Sequence, residues 1–473
     1  MKEIIKKLAA LEGVKEKVIN EKVSSGRAVI PLNFKRKDIK KPVIIGEGFT
    51  VKVNANIGGS PGLDDTGSEV DKLLLSVKAG ADTVMDLTIG KNWEKILRRV
   101  LERSEVPVGT VPVYAAVCSP NMALPSVAPN MALPSVAPKA SVLGLKNFHL
   151  GTFWNKCVRA EKLPLRNFFR ALSHGRPRMA LPSVAKKRVA DIKSGFFIDI
   201  IRRQAEMGVD FMTIHAGITQ KTVELYDKSE RLGGIVSRGG KLIYRWVSQN
   251  GKENPLYEQF DEILDIAKKH NVTLSLGDGM RPGAIADASD SVQFAELDTL
   301  GELTRRCRES GVGVMVEGPG HVPLDKIEEN VLREKEVTGG APFYVLGPLT
   351  TDIGAGYDHI TGAIGGALAA FKGADFLCYV TPAEHMHLPD SSDVVDGVVA
   401  SKIAAHSADI AKGNKAAIER DRKMSEARRN LDWDKMKALA IYPGPLEETF
   451  KKYSIREDRA CTMCGQYCAL LDK

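Results

Sequence analysis

Eight short β-branched runs, each breaking off in Gly, Asp, His or Asn and giving way to helical sequence, constrain this chain more than any other feature. The runs are VKVNANIG, ADTVMDLTIG, VGTVPVYAA, VDFMTIHAG, VTLSLGDG, VGVMVEGPGH, APFYVLGPLTTD and ADFLCYVTPAEH. Between them lie stretches of helical period such as GFFIDIIRRQAEMG, EQFDEILDIAKKH and QFAELDTLGELTRRCRESG. Apolar strands that alternate with helices must pair in parallel, and eight of them predict an α/β fold closed as a (β/α)8 TIM-type barrel. A doubly wound open sheet is the alternative, because periodicity alone does not prove closure. The polar residues cluster where the runs end, which in a barrel is the face that carries the active site.

The expected organisation is an N-terminal helical lead-in over 1–45, a barrel over 46–400, helices over 401–450 and a mobile cysteine-containing tail over 451–473. A chain of 473 residues with 43% apolar composition can bury a large core. Its apolar runs are shorter than the roughly 20 residues a membrane span needs. The start, MKEIIKKLAALEGVKEKVINEKVSSGR, has neither the apolar stretch of a signal peptide nor the acid-poor composition of a transit peptide. A cytoplasmic protein is expected, with no membrane partner.

An insert over 118–188 interrupts the rhythm. NMALPSVAP occurs twice in tandem (Asn121–Pro129 and Asn130–Pro138), and MALPSVA returns at Met179–Ala185. This segment holds 12 Lys and Arg against one acid, a net of +11, so the rest of the chain carries −3 of the total +8. The basic balance is therefore local, and the body has no charge pattern calling for nucleic acid.

Chemistry-bearing residues gather at the ends of the runs. VEGPGHVP supplies Glu317 and His321, and YVTPAEHMHLP supplies Glu384, His385 and His387. Two neutral imidazoles from neighbouring strand ends can bind zinc or iron(II), or can simply be a hydrogen-bonded pair. His387 stands two positions from His385 on a turn and reads as a bystander. LSLGDGMRPG carries Asp278 and Arg281, either a plain salt bridge or a pair that takes a ribose hydroxyl and an anion. In GIVSRGG, Ser237, Arg238, Gly239 and Gly240 have the composition of a phosphate-approaching loop. NANIGGSPG places Asn54, Asn56 and Gly58 at another strand end. Met85, Tyr114 and Tyr344 read first as core, and His215 as either core or acid/base. No Ser–His–Asp constellation and no Walker loop occurs.

Seven cysteines divide into two groups. Cys118, Cys157, Cys307 and Cys378 are isolated, whereas Cys461, Cys464 and Cys468 fall within RACTMCGQYCALLDK. A C-x2-C-x3-C run supplies three thiolates. Structural zinc wants four ligands, from a histidine or partner chain if not from cysteine; an iron–sulfur cubane can use three and keep one iron open.

Taken in order, MDLTIG, TIHAG, GIVSRGG, SLGDGMRPG, VEGPGHVP, PFYVLGPLTTD, GYDHI, YVTPAEH and CTMCG resemble the phosphomethylpyrimidine synthases of thiamine biosynthesis, an atypical radical S-adenosylmethionine (SAM) family. The resemblance covers nearly all of 41–118 and 189–470. It implies reduction of a [4Fe-4S] cluster on Cys461, Cys464 and Cys468, cleavage of SAM to a 5′-deoxyadenosyl radical, and rearrangement of 5-aminoimidazole ribotide into hydroxymethylpyrimidine phosphate. It also implies one divalent metal, zinc or iron, on His321 and His385. The implied substrate contacts are Asn56, Met85, Tyr114, His215, Ser237, Arg238, Gly239, Asp278, Gly279, Met280, Arg281, Glu317 and Tyr344. An electron donor such as flavodoxin or ferredoxin is implied, as is a homodimer in which the tail reaches the partner's site. The chain departs from the pattern in having three residues between its last two cysteines where longer members have four. It also has MDLTIG for MDLSTG, GAGYDH for APGYDH and EHMHLP for EHLGLP, lacks the long N-terminal extension, and carries the insert close to Tyr114. A related family, 5-hydroxybenzimidazole synthase, uses the same ribotide for a cobamide lower ligand and is the alternative. A non-catalytic, zinc-binding, anion-holding scaffold is the remote one.

Overall fold

In a computed structural model of the chain, residues 1–61, 63, 65–118, 189–453, 460 and 463–471 are described. The insert expected over 118–188 lies, Cys118 apart, outside the described residues.

Each of the eight runs contributes one strand: β1 (Lys52–Ile57), β2 (Thr83–Asp86), β3 (Val108–Thr110), β4 (Phe211–Ile214), β5 (Thr273–Leu276), β6 (Val314–Gly318), β7 (Phe343–Leu346) and β8 (Phe376–Cys378). All neighbours are parallel, and β8 pairs with β1 in the register Phe376↔Lys52 and Cys378↔Asn54, so the sheet closes on itself. That pairing excludes the open doubly wound alternative. The strands are shorter than the runs that announce them. VGTVPVYAA gives strand only to Thr110, because Pro112 has no N–H for the ladder and starts a short helix, Pro112–Cys118, that carries Tyr114.

Alternation sorts the strand side chains. Phe211 and Phe376 meet edge to face across the interior at 6.4 Å, and Tyr344 stacks on Phe376 at 4.2 Å. One step toward the C-terminal ends, inward rows turn polar, Thr213 following Phe211 and Glu317 following Met315, while β1 is polar at both Asn54 and Asn56. Gly109 makes room for this packing, since a Cβ there would lie 2.3 Å from the Phe211 ring.

The lead-in helices Lys2–Glu12 and Glu16–Ser24 bury Ile4, Leu8 and Ile19 against Leu32, Ile44 and Phe49. Glu12 pairs with Lys52, the first residue of β1, at 2.9 Å, so this segment packs beside the N-terminal end of that strand. After β8, helix Ser391–Ala411 starts in an Asp390–Asp393 capping box and runs through position 400. Helices Lys415–Arg429, Trp433–Leu439 and Gly444–Tyr453 follow. Among the described residues no helix is long and apolar enough to cross a membrane.

The packing of Gly109 against Phe211 predicts that Gly109→Ala destabilises the protein by about 1–3 kcal/mol through overpacking. Gly195→Ala, where an added Cβ meets nothing within 4 Å, is expected to change stability by less than about 1 kcal/mol. Denaturant midpoints of the two variants decide this, and equal midpoints would refute the packing account.

Candidate active site

One cavity of about 300 Å³ opens among the C-terminal ends of the strands. Of the residues singled out by sequence, Asn56 and Met85 reach it from β1 and β2, Tyr114 from the helix after β3, and His215 from the end of β4. Ser237 and Arg238 come from the long connection after β4, and Asp278 and Arg281 from the loop after β5. Glu317, His321, Tyr344, Glu384 and His385 also line it. Glu317 and Tyr344 lie within their strands rather than beyond them.

Arg281 organises the charge. Its Nη2 lies 3.0 Å from Asp278 Oδ1 and 3.8 Å from Glu317 Oε2. Glu317 Oε1 accepts hydrogen bonds from Thr213 at 2.7 Å and Ser275 at 2.8 Å, so side chains of β4 and β5 orient a carboxylate on β6. Asp278 is different: both of its oxygens are buried, and neither accepts a hydrogen bond. Burial pushes the Asp278 carboxyl well above its ordinary range, against the pull of Arg281. Burial also raises Glu317, again opposed by Arg281 and the two hydroxyls. Buried acceptors without donors are uncommon in native proteins, and here they face a cavity.

Ser237 caps helix Arg238–Asn250 by accepting the Gly240 N–H at 3.1 Å, and also stands 3.3 Å from His215 Nε2. Gly239 is required by close approach, since a Cβ would lie 2.2 Å from the His215 ring. Arg238 sits over the Tyr114 ring, 5.4 Å from its centroid. Burial, with Arg281 nearby, lowers the His215 pKa to about 3, so its imidazole is neutral at physiological pH. Its Nδ1 is buried without a partner.

Gly279 and Met280 do not line the cavity. Their backbone N–H groups donate to the two oxygens of Glu296, at 2.9 and 2.7 Å, and the Met280 side chain is fully buried. Burial raises the Glu296 carboxyl to about 7. These two residues therefore shape the loop from behind. Arg231 works from the same side, donating to the Met280 carbonyl at 2.7 Å and pairing with Asp290 at 2.6 Å. Nothing in the local sequence marks Glu296 or Arg231, which read as ordinary polar helix and loop positions.

His321 and His385 come together with ring centroids 5.2 Å apart. Asp352 Oδ1 is 2.8 Å from His321 Nδ1, and Asp358 Oδ1 is 3.6 Å from His385 Nδ1. Both acids lie within PLTTD and GYDHI, motifs in which nothing local marks them as partners of the histidines. A carboxylate behind each imidazole is the arrangement that supports histidine as a metal ligand. Among the described residues no three His, Cys, Asp or Glu side chains group to hold a metal ion. The two imidazoles fit a divalent cation whose remaining ligands are water or substrate. His387 hydrogen-bonds the Leu388 carbonyl at 2.9 Å and does not line the cavity.

In the tail, Cys464 and Cys468 flank the 3₁₀ turn Gly465–Tyr467, the first exposed and the second buried. Cys461 lies outside the described residues. The turn brings two thiols of one C-x3-C unit within a single loop, a donor set suited to iron–sulfur or zinc.

Residues 1–135 and 179–472 match the Radical SAM ThiC family. The chain is 45% identical to phosphomethylpyrimidine synthase of Thermotoga petrophila over 468 residues, 98% of this chain and 95% of that protein. It is 45% identical to the enzyme of the same name from Caldanaerobacter subterraneus, over 98% of this chain and 93% of that one. The corresponding protein of Thermus thermophilus is 43% identical, over 98% and 92%.

The state of Asp278 can be tested through stability. Its folded pKa is raised above the ordinary 3.8. The stability linked to its proton is therefore present at low pH and lost as pH rises through the folded value. Asp278→Asn carries no such loss. The variant is expected to melt roughly 2 °C or more above wild type at pH 8 and to converge with it toward pH 4. A wild-type advantage that grows with pH would mean the Arg281 pair outweighs the burial of the carboxylate.

Proposed function

As the chain belongs to the Radical SAM ThiC family, we propose that it is a phosphomethylpyrimidine synthase of thiamine biosynthesis, converting 5-aminoimidazole ribotide to 4-amino-5-hydroxymethyl-2-methylpyrimidine phosphate. The observation that carries the choice of substrate is the pairing, in one cavity, of a buried carboxylate that accepts no hydrogen bond and is ion-paired only to Arg281 with an arginine-bearing helix start. The first suits ribose hydroxyls and the second suits a phosphate.

In this reading Asp278 accepts from the ribose hydroxyls, and Arg281 keeps its carboxylate oriented. The Ser237 hydroxyl and the Arg238 guanidinium hold the phosphate, assisted by the positive end of helix Arg238–Asn250. Glu317 Oε2 accepts from the aminoimidazole, while Thr213 and Ser275 hold its other oxygen. His215, neutral at working pH, adds a hydrogen bond without adding charge. Met85, Tyr114 and Tyr344 form apolar walls that keep water from the reacting atoms. An adjoining cavity of about 370 Å³ shares Asn56, Arg238, Glu384 and His385 and gives room for a second ligand beside the first.

Family membership implies a [4Fe-4S] cluster and SAM, which when bound supply the one-electron chemistry that starts hydrogen abstraction. Cys461, Cys464 and Cys468 would hold the cluster, and His321 and His385 a zinc or iron ion. Reducing equivalents would come from a flavodoxin- or ferredoxin-type donor, and a second copy of the chain would complete the assembly.

Anaerobic reconstitution with iron and sulfide, followed by reductant, SAM and aminoimidazole ribotide, tests this by mass spectrometry of the products. Hydroxymethylpyrimidine phosphate with 5′-deoxyadenosine is expected, and Cys464→Ala or Cys468→Ala should abolish both. Hydroxybenzimidazole would instead assign the sister activity. A colourless protein holding only zinc would indicate a scaffold.

A further inference from the structure

We infer that Asp352 is a positioning residue that engages His321 Nδ1, so that the ring offers Nε2 to a metal, and ties that histidine to the substrate-holding loop. The inference rests on the reading of His321 and His385 as a divalent-cation site.

Asp352 faces two ways. Its Oδ1 lies 2.8 Å from His321 Nδ1, and its Oδ2 accepts the backbone N–H of Ile285 at 3.0 Å. A carboxylate oxygen in this contact accepts, so His321 Nδ1 carries the hydrogen and Nε2 is the ring nitrogen left to ligate. Ile285 belongs to the same loop as Asp278 and Arg281, four residues beyond the arginine. One carboxylate thus joins a metal-facing imidazole to the segment that faces the substrate.

The backbone around it supports the clamp. Val322 N–H donates to the Leu349 carbonyl at 3.1 Å, and His321 bridges in parallel to Leu349, so the connections after β6 and β7 are zipped together. His385 is held differently. Its Asp358 contact, at 3.6 Å, is longer than a hydrogen bond. The ring is about half exposed, at 49%, and its backbone is left-handed, with φ 64°. The two histidines are therefore unequal: Asp352 fixes one, and the other is free to adjust when a cation arrives.

The test is zinc(II) affinity of the full-length chain carrying Cys461→Ser, Cys464→Ser and Cys468→Ser, so that the tail thiolates do not take the metal. It is measured by competition with a chromophoric chelator in that otherwise wild-type background and with Asp352→Asn, Asp352→Ala or His385→Ala added. Asparagine keeps an oxygen for the Ile285 N–H and turns its amide toward His321 Nδ1. The ring must then accept there and carry its proton on Nε2, where it cannot ligate. Asp352→Asn is expected to weaken zinc binding by about 10- to 100-fold. Asp352→Ala, which leaves the ring free to choose its tautomer, should weaken it less. A merely structural role predicts the reverse order, because alanine removes more. Wild-type affinity in Asp352→Asn, or an alanine loss as large as the asparagine loss, overturns the inference while the metal site stands. If His385→Ala binds zinc as wild type does, the histidine pair is not a metal site and both readings fall.

Discussion

Arg281 is the residue on which the arrangement of the mouth depends. Two carboxylates, Asp278 and Glu317, sit within ion-pairing range of its one guanidinium, and all three are largely shielded from water. Removing Glu317 leaves the buried guanidinium to Asp278 alone, whereas removing the Asp278 charge also removes a carboxylate that burial disfavours. Removing the arginine leaves two buried acids facing each other, which costs several kcal/mol in such surroundings, on the order of 3–5. Barrel closure sets where Glu317 stands, since hydroxyls from two adjacent strands hold one of its oxygens. Arg281 then draws the loop after β5 toward that fixed point. From outside the cavity Glu296 takes the loop's amides, Arg231 one of its carbonyls, and Asp287 the amides of Leu232 and Gly233. The segment that faces the cavity is thus held on both sides.

The parts of this architecture legible in the sequence are those that repeat locally. Eight β-branched runs with helical sequence between them specify a parallel sheet, and inward alternation carries polar residues to one end. Features set by a single residue were harder to read. Pro112 ends β3 two residues past Thr110 and moves Tyr114 onto a helix, although VGTVPVYAA reads as one extended run. Gly279 and Met280 stand between Asp278 and Arg281 and look like part of the same surface, yet their amides turn away toward Glu296. Nothing in a sequence says which way a peptide plane faces within a tight loop.

Partners distant in the chain were the least legible. Asp352 lies 31 residues from His321 and Glu296 lies 16 from Met280. The first pairing exists because the barrel sets successive connections side by side, and the second because the helix after β5 packs back against its own loop. The motifs PLTTD and GYDHI contain the two acids that face His321 and His385, but an acid after a glycine turn has many possible uses. The tail is legible as a donor set and nothing more, because C-x2-C-x3-C names its ligands without saying where the arm rests.

The buried atoms left without hydrogen-bond partners complete the physical account. Asp278 offers two acceptor oxygens and His215 one ring nitrogen, all beside the same cavity. A folded protein ordinarily satisfies such groups, at about 1–3 kcal/mol each. Keeping them open lowers stability, and the loss is recovered only when a ligand donates to them. A site built this way discriminates by what is missing. A ligand lacking a hydroxyl at that point would leave a buried carboxylate oxygen without a donor, and so bind worse than the lost contact alone would suggest. The neutral state of His215 serves the same end, because a second cation beside Arg281 would satisfy the carboxylates without any substrate present.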